Sequence, residues 1–366
     1  MRIMYAVCSW GFGHVTRSLP IIRCLIKEGH ELTIVACDKP RYMLMDELGK
    51  HEGQVTFVDL PDYPLPYTLH QQAFLFKFIA FIPNMLRLIN IENDWVLAEC
   101  KKRKYDMLIS DNRYGIYNRT QKIPSFLITH QLRMIAPGRF RFMEWGTEQF
   151  VCLFQNYFTR FIVPDFEEDG LAGLLCHDMK YYDMSRVHYI GAVSDFPHRE
   201  QEHDLDGYIS VSGPEPQRSK YEDILRRQIH ELKGKWVMSL GSTKGEVEKV
   251  EDVTIFPYLT TKERVDILNR ADFVISRSGY TTIMDLAMGG QKALFSPTPG
   301  QTEQEYLSDY HNGKGTYMSV DQESVDLLDG IRKAKKFTGV RHGSTEKAVE
   351  KTMEILFSMD NGRKKR

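Results

Sequence analysis

Residues 271–304 read ADFVISRSGYTTIMDLAMGGQKALFSPTPGQTEQ. An apolar strand ends at Ser276. Arg277, Ser278 and Gly279 turn the chain, and Tyr280, Thr281 and Thr282 open a helix. Hydroxyls and unpaired N–H groups at such a helix start make a cradle for a diphosphate. Asp285 lies one turn further on, on the same side as Thr281 or Thr282, and an acid beside a phosphate site suits the diol of a ribose. The next strand, 293–296, runs into a Gly/Pro loop carrying Gln301, Glu303, Gln304 and Glu305, whose amides and acids suit sugar hydroxyls. Arg277 is expected to pair with phosphate or with a nearby acid.

Short apolar strands recur on both sides of this stretch. Residues 208–212, 236–240 and 253–256 precede it, with helical spacing between them. The N-terminal half repeats the alternation, with strands at 2–9, 31–36, 54–59, 107–110 and 125–129. Apolar strands separated by helices imply parallel sheets covered on both faces. The expected fold class is α/β, with two doubly wound Rossmann-like domains facing a cleft. Residues 191–206 hold Pro197 and a polar run that reads as a linker. This gives an N-terminal domain at 1–190 and a C-terminal domain at 207–366, with the last helix a candidate to return to the first domain.

Composition narrows the partners. Hydrophobic residues make up 42% of the 366 and charged residues 27%, a globular mix. Basic and acidic residues balance in each half and the net charge is −1, which argues against nucleic acid as a partner. Six cysteines form no CxxC pair and sit in apolar surroundings, as in a reduced, cytoplasmic protein. Met1 opens straight into a strand pattern, so no export signal is expected. Residues 73–91, AFLFKFIAFIPNMLRLINI, are apolar nearly all round. Such a helix packs in a core or meets something apolar, and in the second case it gives a peripheral membrane contact.

The first strand runs into Trp10-Gly11-Phe12-Gly13-His14-Val15-Thr16-Arg17-Ser18 and then a helix. Gly11 and Gly13 permit a tight turn and close approach of a ligand. His14 projects at the carboxyl end of the strand, where open α/β sheets bind ligands. Three readings stand here. One is a dinucleotide fingerprint with Asp38 on the ribose, although Thr16 replaces its third glycine. Another is a structural turn with an incidental histidine. The third is a catalytic histidine.

Three stretches together resemble the MurG-like glycosyltransferases of family 28, which have the GT-B fold: 10–18, the segment IPSFLITHQ at 123–131, and 274–304. The resemblance implies that Asp285 holds the ribose of a UDP-sugar and that Gly279, Tyr280, Thr281 and Thr282, flanked by Arg277 and Ser278, form the diphosphate loop. It also implies that Gln304 and Glu305, near Gln301, read the donor sugar, that the Phe256 backbone meets the base, and that Ser212-Gly213 forms a glycine loop after the domain's first strand. Prolines at 214 and 216 and the acid at 305 depart from the family's pattern, which leaves the sugar open.

The implied reaction is inverting displacement at the anomeric carbon of a UDP-sugar, N-acetylglucosamine or another hexose, by an unidentified hydroxyl acceptor, lipid-linked or part of a cell-envelope glycan. Neutral His14 is the expected base, oriented by Asp111. Gly11, Gly13, His130 and Gln131 are expected at the acceptor. A helix N-terminus with hydroxyls can stabilise the leaving diphosphate, so neither metal nor cofactor is expected. A UDP-N-acetylglucosamine 2-epimerase-like isomerase, an NAD-dependent dehydrogenase and a non-catalytic partner are the alternatives.

Overall fold

A computed structural model describes residues 1–51, 53–63, 71–136, 144–196, 202–242 and 245–358; in the helix spanning 71–102 it describes side chains from Ile82 onward. The chain divides into two compact units. One comprises Met1–Asp195 together with the segment from Ser344 onward; the other is Phe196–Gly343.

The first unit is built on β1 (Arg2–Val7), β2 (Glu31–Ala36), β3 (Val55–Asp59), β4 (Met107–Asp111), β5 (Ser125–Ile128), β6 (Arg160–Val163) and β7 (Val187–Tyr189). They form one sheet in the order β3-β2-β1-β4-β5-β6-β7, with every pairing parallel. Helices α1 (Phe12–Lys27), α2 (Asp38–Leu48), α3 (Gln71–Lys102) and α4 (Glu144–Cys152) belong to this unit. The second unit contains β8 (Gly207–Ser210), β9 (Trp236–Ser239), β10 (Glu248–Val250), β11 (Val253–Phe256), β12 (Phe273–Ser276), β13 (Lys292–Phe295) and β14 (Met318–Ser319), with α5 (Gln217–Arg226), α6 (Thr261–Arg270), α7 (Tyr280–Gly289), α8 (Thr302–Lys314) and α9 (Leu327–Ala334). Its sheet order is β10-β11-β9-β8-β12-β13-β14, parallel except for the antiparallel edge pair β10–β11.

Burial explains the strands. Ile3 to Val7 and Met107 to Asp111 are buried at every position, as a parallel sheet covered on both faces requires. Helix starts and stops follow local chemistry. Thr260 and Glu263 form a reciprocal capping box at the start of α6. Gly290 ends α7 at φ 75°, with Arg341 side-chain atoms 3.1–3.2 Å from where a Cβ would stand, so both backbone and space demand glycine there.

Each sheet reverses its strand order beside its first strand, between β1 and β4 in one unit and between β8 and β12 in the other. The carboxyl ends at such reversals are where open α/β sheets bind ligands. Helix α10 (Thr345–Phe357) crosses back to the first unit. Its Ala348, Val349, Met353, Ile355 and Leu356 enter the same core as Ile22, Leu25 and Ile26 of α1, and Thr345 Oγ1 donates to the Ser194 carbonyl at 2.8 Å.

Several expectations need correction. The division between the units falls between Asp195 and Phe196, inside the polar stretch 191–206 expected as a linker; residues 197–201 lie outside the described residues. Strands β7, β10 and β14 are two or three residues long, too short for apolar periodicity to reveal, and the four-residue β6 is a further strand beyond those expected. Most of the expected loop 10–18 is helix, since α1 begins at Phe12. Gly11 sits in extended backbone at φ 165°, and no positive φ occurs at Gly13, so a tight glycine turn is not their role. Much of 73–91, including Phe74, Phe76, Phe78 and Phe81, has side chains outside the described residues. Beyond them, Met85 and Ile89 are buried while Leu86 and Ile91 are exposed. Among the described residues no helix is long and apolar enough to cross a membrane.

Candidate functional site

In the first unit, His14 and Asp111 stand on the two strand ends that flank the reversal. Asp111 is the last residue of β4, and His14 lies in the first turn of the helix that follows β1. His14 Nδ1 is 2.7 Å from Asp111 Oδ1. The carboxylate is fully buried while the imidazole keeps 14% of its side chain exposed, so the acid is enclosed and the ring reaches solvent. Burial alone would push the Asp111 carboxyl up; the charges of Arg17 and His14, and their hydrogen bonds, outweigh it and hold it well below the usual carboxylate range.

Arg17 is the residue that sequence reasoning passed over. It is 3% exposed and donates through Nε to Asp111 Oδ2 at 2.6 Å and through Nη2 to Oδ1. Its Nη1 lies 2.8 Å from His130 Nδ1, and Ser18 Oγ donates to Asp111 Oδ2 at 3.1 Å. The signal was present in the spacing: in a helix that starts at Phe12, positions 14, 17 and 18 share a face. Asn112, next to Asp111, holds φ 56°, a left-handed conformation that is costly outside glycine and recurs where a site is tightly determined. Its Oδ1 accepts from Thr129 Oγ1 at 3.1 Å, and Thr129 Oγ1 accepts from the Gln131 N–H at 3.0 Å. Gly11, Gly13, His14, His130 and Gln131 are therefore collected at one edge of one sheet. Space within 4 Å of a Cβ built on Gly11 is open.

In the second unit the expected residues also gather around a strand reversal, but several are structural. Ser212 and Gly213 follow β8, and Gly213 turns at φ 118° with Thr298 Oγ1 3.3 Å from a built Cβ. Gly279 precedes α7, which starts without a side-chain cap. Tyr280 is buried, while Thr281 and Thr282 are half-buried. Asp285 is 3% exposed, and Arg264 Nη1 donates to its Oδ2 at 3.1 Å. Phe256 closes β11, where its carbonyl accepts from the Leu240 N–H at 3.0 Å.

The protein partners of Arg277 among the described residues are carbonyls and an amide, not an acid. It is 2% exposed and donates to the carbonyls of Ser212, Ser296, Pro297 and Gln217 and to Gln322 Oε1. Its guanidinium also lies 3.9 Å from the Tyr221 ring centroid. Burial pulls its pKa down to about 10. Arg277 ties together the loops that follow β8, β12 and β13, so it shapes the site from beneath. Ser278 faces inward as well, donating to the Gln304 carbonyl at 2.8 Å. Gln304 Oε1 accepts from the Thr298 N–H and Glu305 Oε1 from the Gly300 N–H, both at 2.8 Å. These two side chains brace the Gly/Pro loop, and Gln301 sits at the start of α8.

Two groups resemble metal sites. Asp204-Leu205-Asp206 has an Asp-x-Asp spelling. It lies at the amino end of β8, away from the ligand edge, with Asp204 on Arg270 and Asp206 Oδ2 accepting from the Lys235 N–H. Among the described residues, Asp165, Cys176 and His177 bring their ligand atoms within 4.8 Å. That carboxylate already accepts from the N–H groups of Phe166, Leu171 and Ala172, from Cys176 Sγ and from His177 Nε2, which describes a hub fastening the chain after β6.

Comparison with known proteins agrees with this geometry. Residues 219–350 match the glycosyltransferase family 28 C-terminal domain. The chain is 29% identical over 148 residues to the UDP-N-acetylglucosamine–N-acetylmuramyl-(pentapeptide) pyrophosphoryl-undecaprenol N-acetylglucosamine transferase of Sulfurihydrogenibium sp.; that match covers 40% of this chain and only 40% of that enzyme. It is 23% identical over 376 residues to an uncharacterized glycosyltransferase of Methanosarcina mazei, covering 91% of this chain and 89% of that one. The MurG crystal structure from Acinetobacter baumannii superposes with a TM-score of 0.61 at 14% identity, covering 98% of this chain and 99% of MurG. The chain has the GT-B fold of these glycosyltransferases, and the match to the family 28 C-terminal domain spans residues 219–350.

Proposed function

We propose that the protein transfers a hexosyl group from a UDP-sugar to a hydroxyl acceptor, with inversion and without a metal ion. The observation that carries the reading is the His14–Asp111 pair at the ligand edge of the first sheet. With its Nδ1 proton donated to a buried, ionised carboxylate, His14 has a lone pair on Nε2 with which to take the acceptor's proton as the hydroxyl attacks the anomeric carbon. The bond from that carbon to the diphosphate oxygen breaks with its electron pair, and UDP leaves carrying the charge.

In the second unit the uncapped start of α7, with Gly279, Thr281 and Thr282, offers N–H and hydroxyl donors for that charge. Asp285, one turn along α7, is assigned to the ribose, and the Phe256 backbone to the base. The bracing contacts of Gln304 and Glu305 shape the loop beside the donor sugar. N-acetylglucosamine is the first donor to test, because the Sulfurihydrogenibium relative is named for it. That name also supports a lipid-linked acceptor, for which binding to anionic vesicles at low salt is the test; a chain that ignores such vesicles needs no lipid.

A thermal-shift panel of UDP, GDP, TDP and their sugars tests the donor. At about 100 times its dissociation constant a ligand adds ~2.7 kcal/mol, so UDP should raise the unfolding temperature and GDP and TDP should not. Turnover should survive EDTA. Activity lost to EDTA and restored only by Mg²⁺ or Mn²⁺ contradicts the metal-free reading.

A further inference from the structure

Two imidazoles flank the buried guanidinium of Arg17, and their hydrogen bonds fix where each keeps its proton. A guanidinium has five donors and no acceptor. Arg17 Nη1 is 2.8 Å from His130 Nδ1, so that nitrogen accepts and the ring proton of neutral His130 sits on Nε2. His14 Nδ1 is 2.7 Å from Asp111 Oδ1 and 2.9 Å from Arg17 Nη2. Nη2 already donates to that same oxygen. A lone pair on Nδ1 facing an ionised carboxylate at 2.7 Å would be repulsive, so His14 carries its proton on Nδ1 and its lone pair on Nε2.

We infer that Arg17 is a positioning residue that sets opposite tautomers on the two histidines of this edge, Nδ1–H on His14 and Nε2–H on His130. One ring then presents a base and the other a donor. The inference rests on the reading of His14 as the base, and it adds to that reading the residue that holds the ring in its base tautomer.

The surrounding charges support a fixed arrangement. β1 contributes Tyr5 and, just beyond it, Cys8; the segment after β4 contributes Arg113 and Tyr114; the loop after β3 contributes Asp62. Burial holds Tyr5, Cys8 and Tyr114 protonated. Arg113 is paired with Glu92 at 2.5 Å, and Asp62 accepts from the Ser9 N–H at 2.6 Å. Among the described residues, Arg17 and Asp111 are therefore the ionised pair that these hydrogen bonds join to the two rings. Protonating His130 at Nδ1 would set an imidazolium N–H against a guanidinium N–H. Removing Arg17 would leave Asp111 alone beside His14 and favour its imidazolium.

The first test is ¹⁵N NMR of the full chain with labelled histidine near pH 8, with the two rings assigned from His14→Gln and His130→Gln. The expected result is a protonated Nδ1 on His14 and a protonated Nε2 on His130. A protonated Nδ1 on His130, or rapid averaging in either ring, overturns the inference. The second test is the pH profile of sugar transfer. Arg17→Met should lower the rate at least about tenfold and move the acid limb up by about one pH unit. Arg17→Lys keeps the charge, so its rate should fall while the acid limb stays near wild type. A slower Arg17→Met enzyme with an unmoved acid limb shows a merely structural arginine. If Arg17→Met fails to fold, Arg17→Lys and the wild-type spectrum decide. The NMR result needs no turnover: a chain that transfers no sugar yet shows opposite tautomers loses the proposed activity and the role of His14 as its base, and keeps the assignment of the two tautomers to Arg17.

Discussion

Asp111→Asn keeps the shape of the side chain and removes its charge. The wild-type carboxylate accepts from both arms of Arg17, from His14 Nδ1 and from Ser18. An amide retains one acceptor and turns a donor toward this set, so at least one Arg17 N–H or the His14 N–H meets another N–H. Arg17, at 3% exposure, would then hold a buried charge without its carboxylate. Breaking such a buried pair costs about 3–5 kcal/mol, a large share of the roughly 5–15 kcal/mol of a typical fold. At ~2–4 °C per kcal/mol for a unit of this size, the unfolding temperature should drop by roughly 6–20 °C at pH 7.

The difference also has a pH signature. The carboxyl of folded Asp111 lies below its unfolded value of about 3.9. Its contribution is therefore present above that value and is lost as pH falls toward the folded pKa. The gap between wild type and Asp111→Asn should be full at pH 7 and narrow below about pH 4. Thermal unfolding followed by circular dichroism from pH 3 to 7 reads both quantities. A variant within 2 °C of wild type at pH 7, or a gap that does not narrow in acid, would refute the placement of Asp111 as the anion of this network.

His14→Ala should lower transfer by about 10²–10⁴-fold and leave UDP affinity within about twofold, measured by steady-state kinetics and calorimetry; near-normal turnover removes His14 from the mechanism. Asp111→Asn, refolded or assayed at low temperature, should lose at least about tenfold in the same rate constant. Arg277→Met should destabilise the second unit by more than about 3 kcal/mol, since four carbonyls lose a buried donor at about 1–3 kcal/mol each; a midpoint unchanged in denaturant would contradict its role as a tie. Leu356→Ala, in the helix that returns to the first unit, should cost about 2–5 kcal/mol, read from the same unfolding curves.

The alternation of apolar strands and helices was enough to read two parallel α/β units, because each central strand is buried on both faces and shows as an uninterrupted apolar run. Strands at the margins escaped notice: β14 is Met318–Ser319 alone, and β10 has exposed Glu248 and Lys249 beside Val250. His14 and Asp111 were legible because a glycine-flanked histidine and a strand-terminal acid are local features. Arg17 was not, since a helical arginine reads as solvated surface until the fold shows that it is buried against β4. The protein partners of Arg277 were not legible either. Its place beside a diphosphate-like loop suggested an anion, whereas its partners are carbonyls up to 65 residues away in sequence, a relation that no local pattern encodes.

The central claim is that α7 holds the nucleotide of a UDP-sugar, and calorimetric titration of UDP into wild type and Asp285→Asn tests it most directly. Asparagine keeps a partner for Arg264 but offers a ribose diol one acceptor in place of two. The account predicts that wild type binds UDP and that Asp285→Asn binds it about 10–150-fold more weakly, the equivalent of the 1.5–3 kcal/mol of a hydrogen bond to a charged group, while remaining folded. Equal affinity in the two proteins, or no heat of UDP binding to wild type, would contradict it.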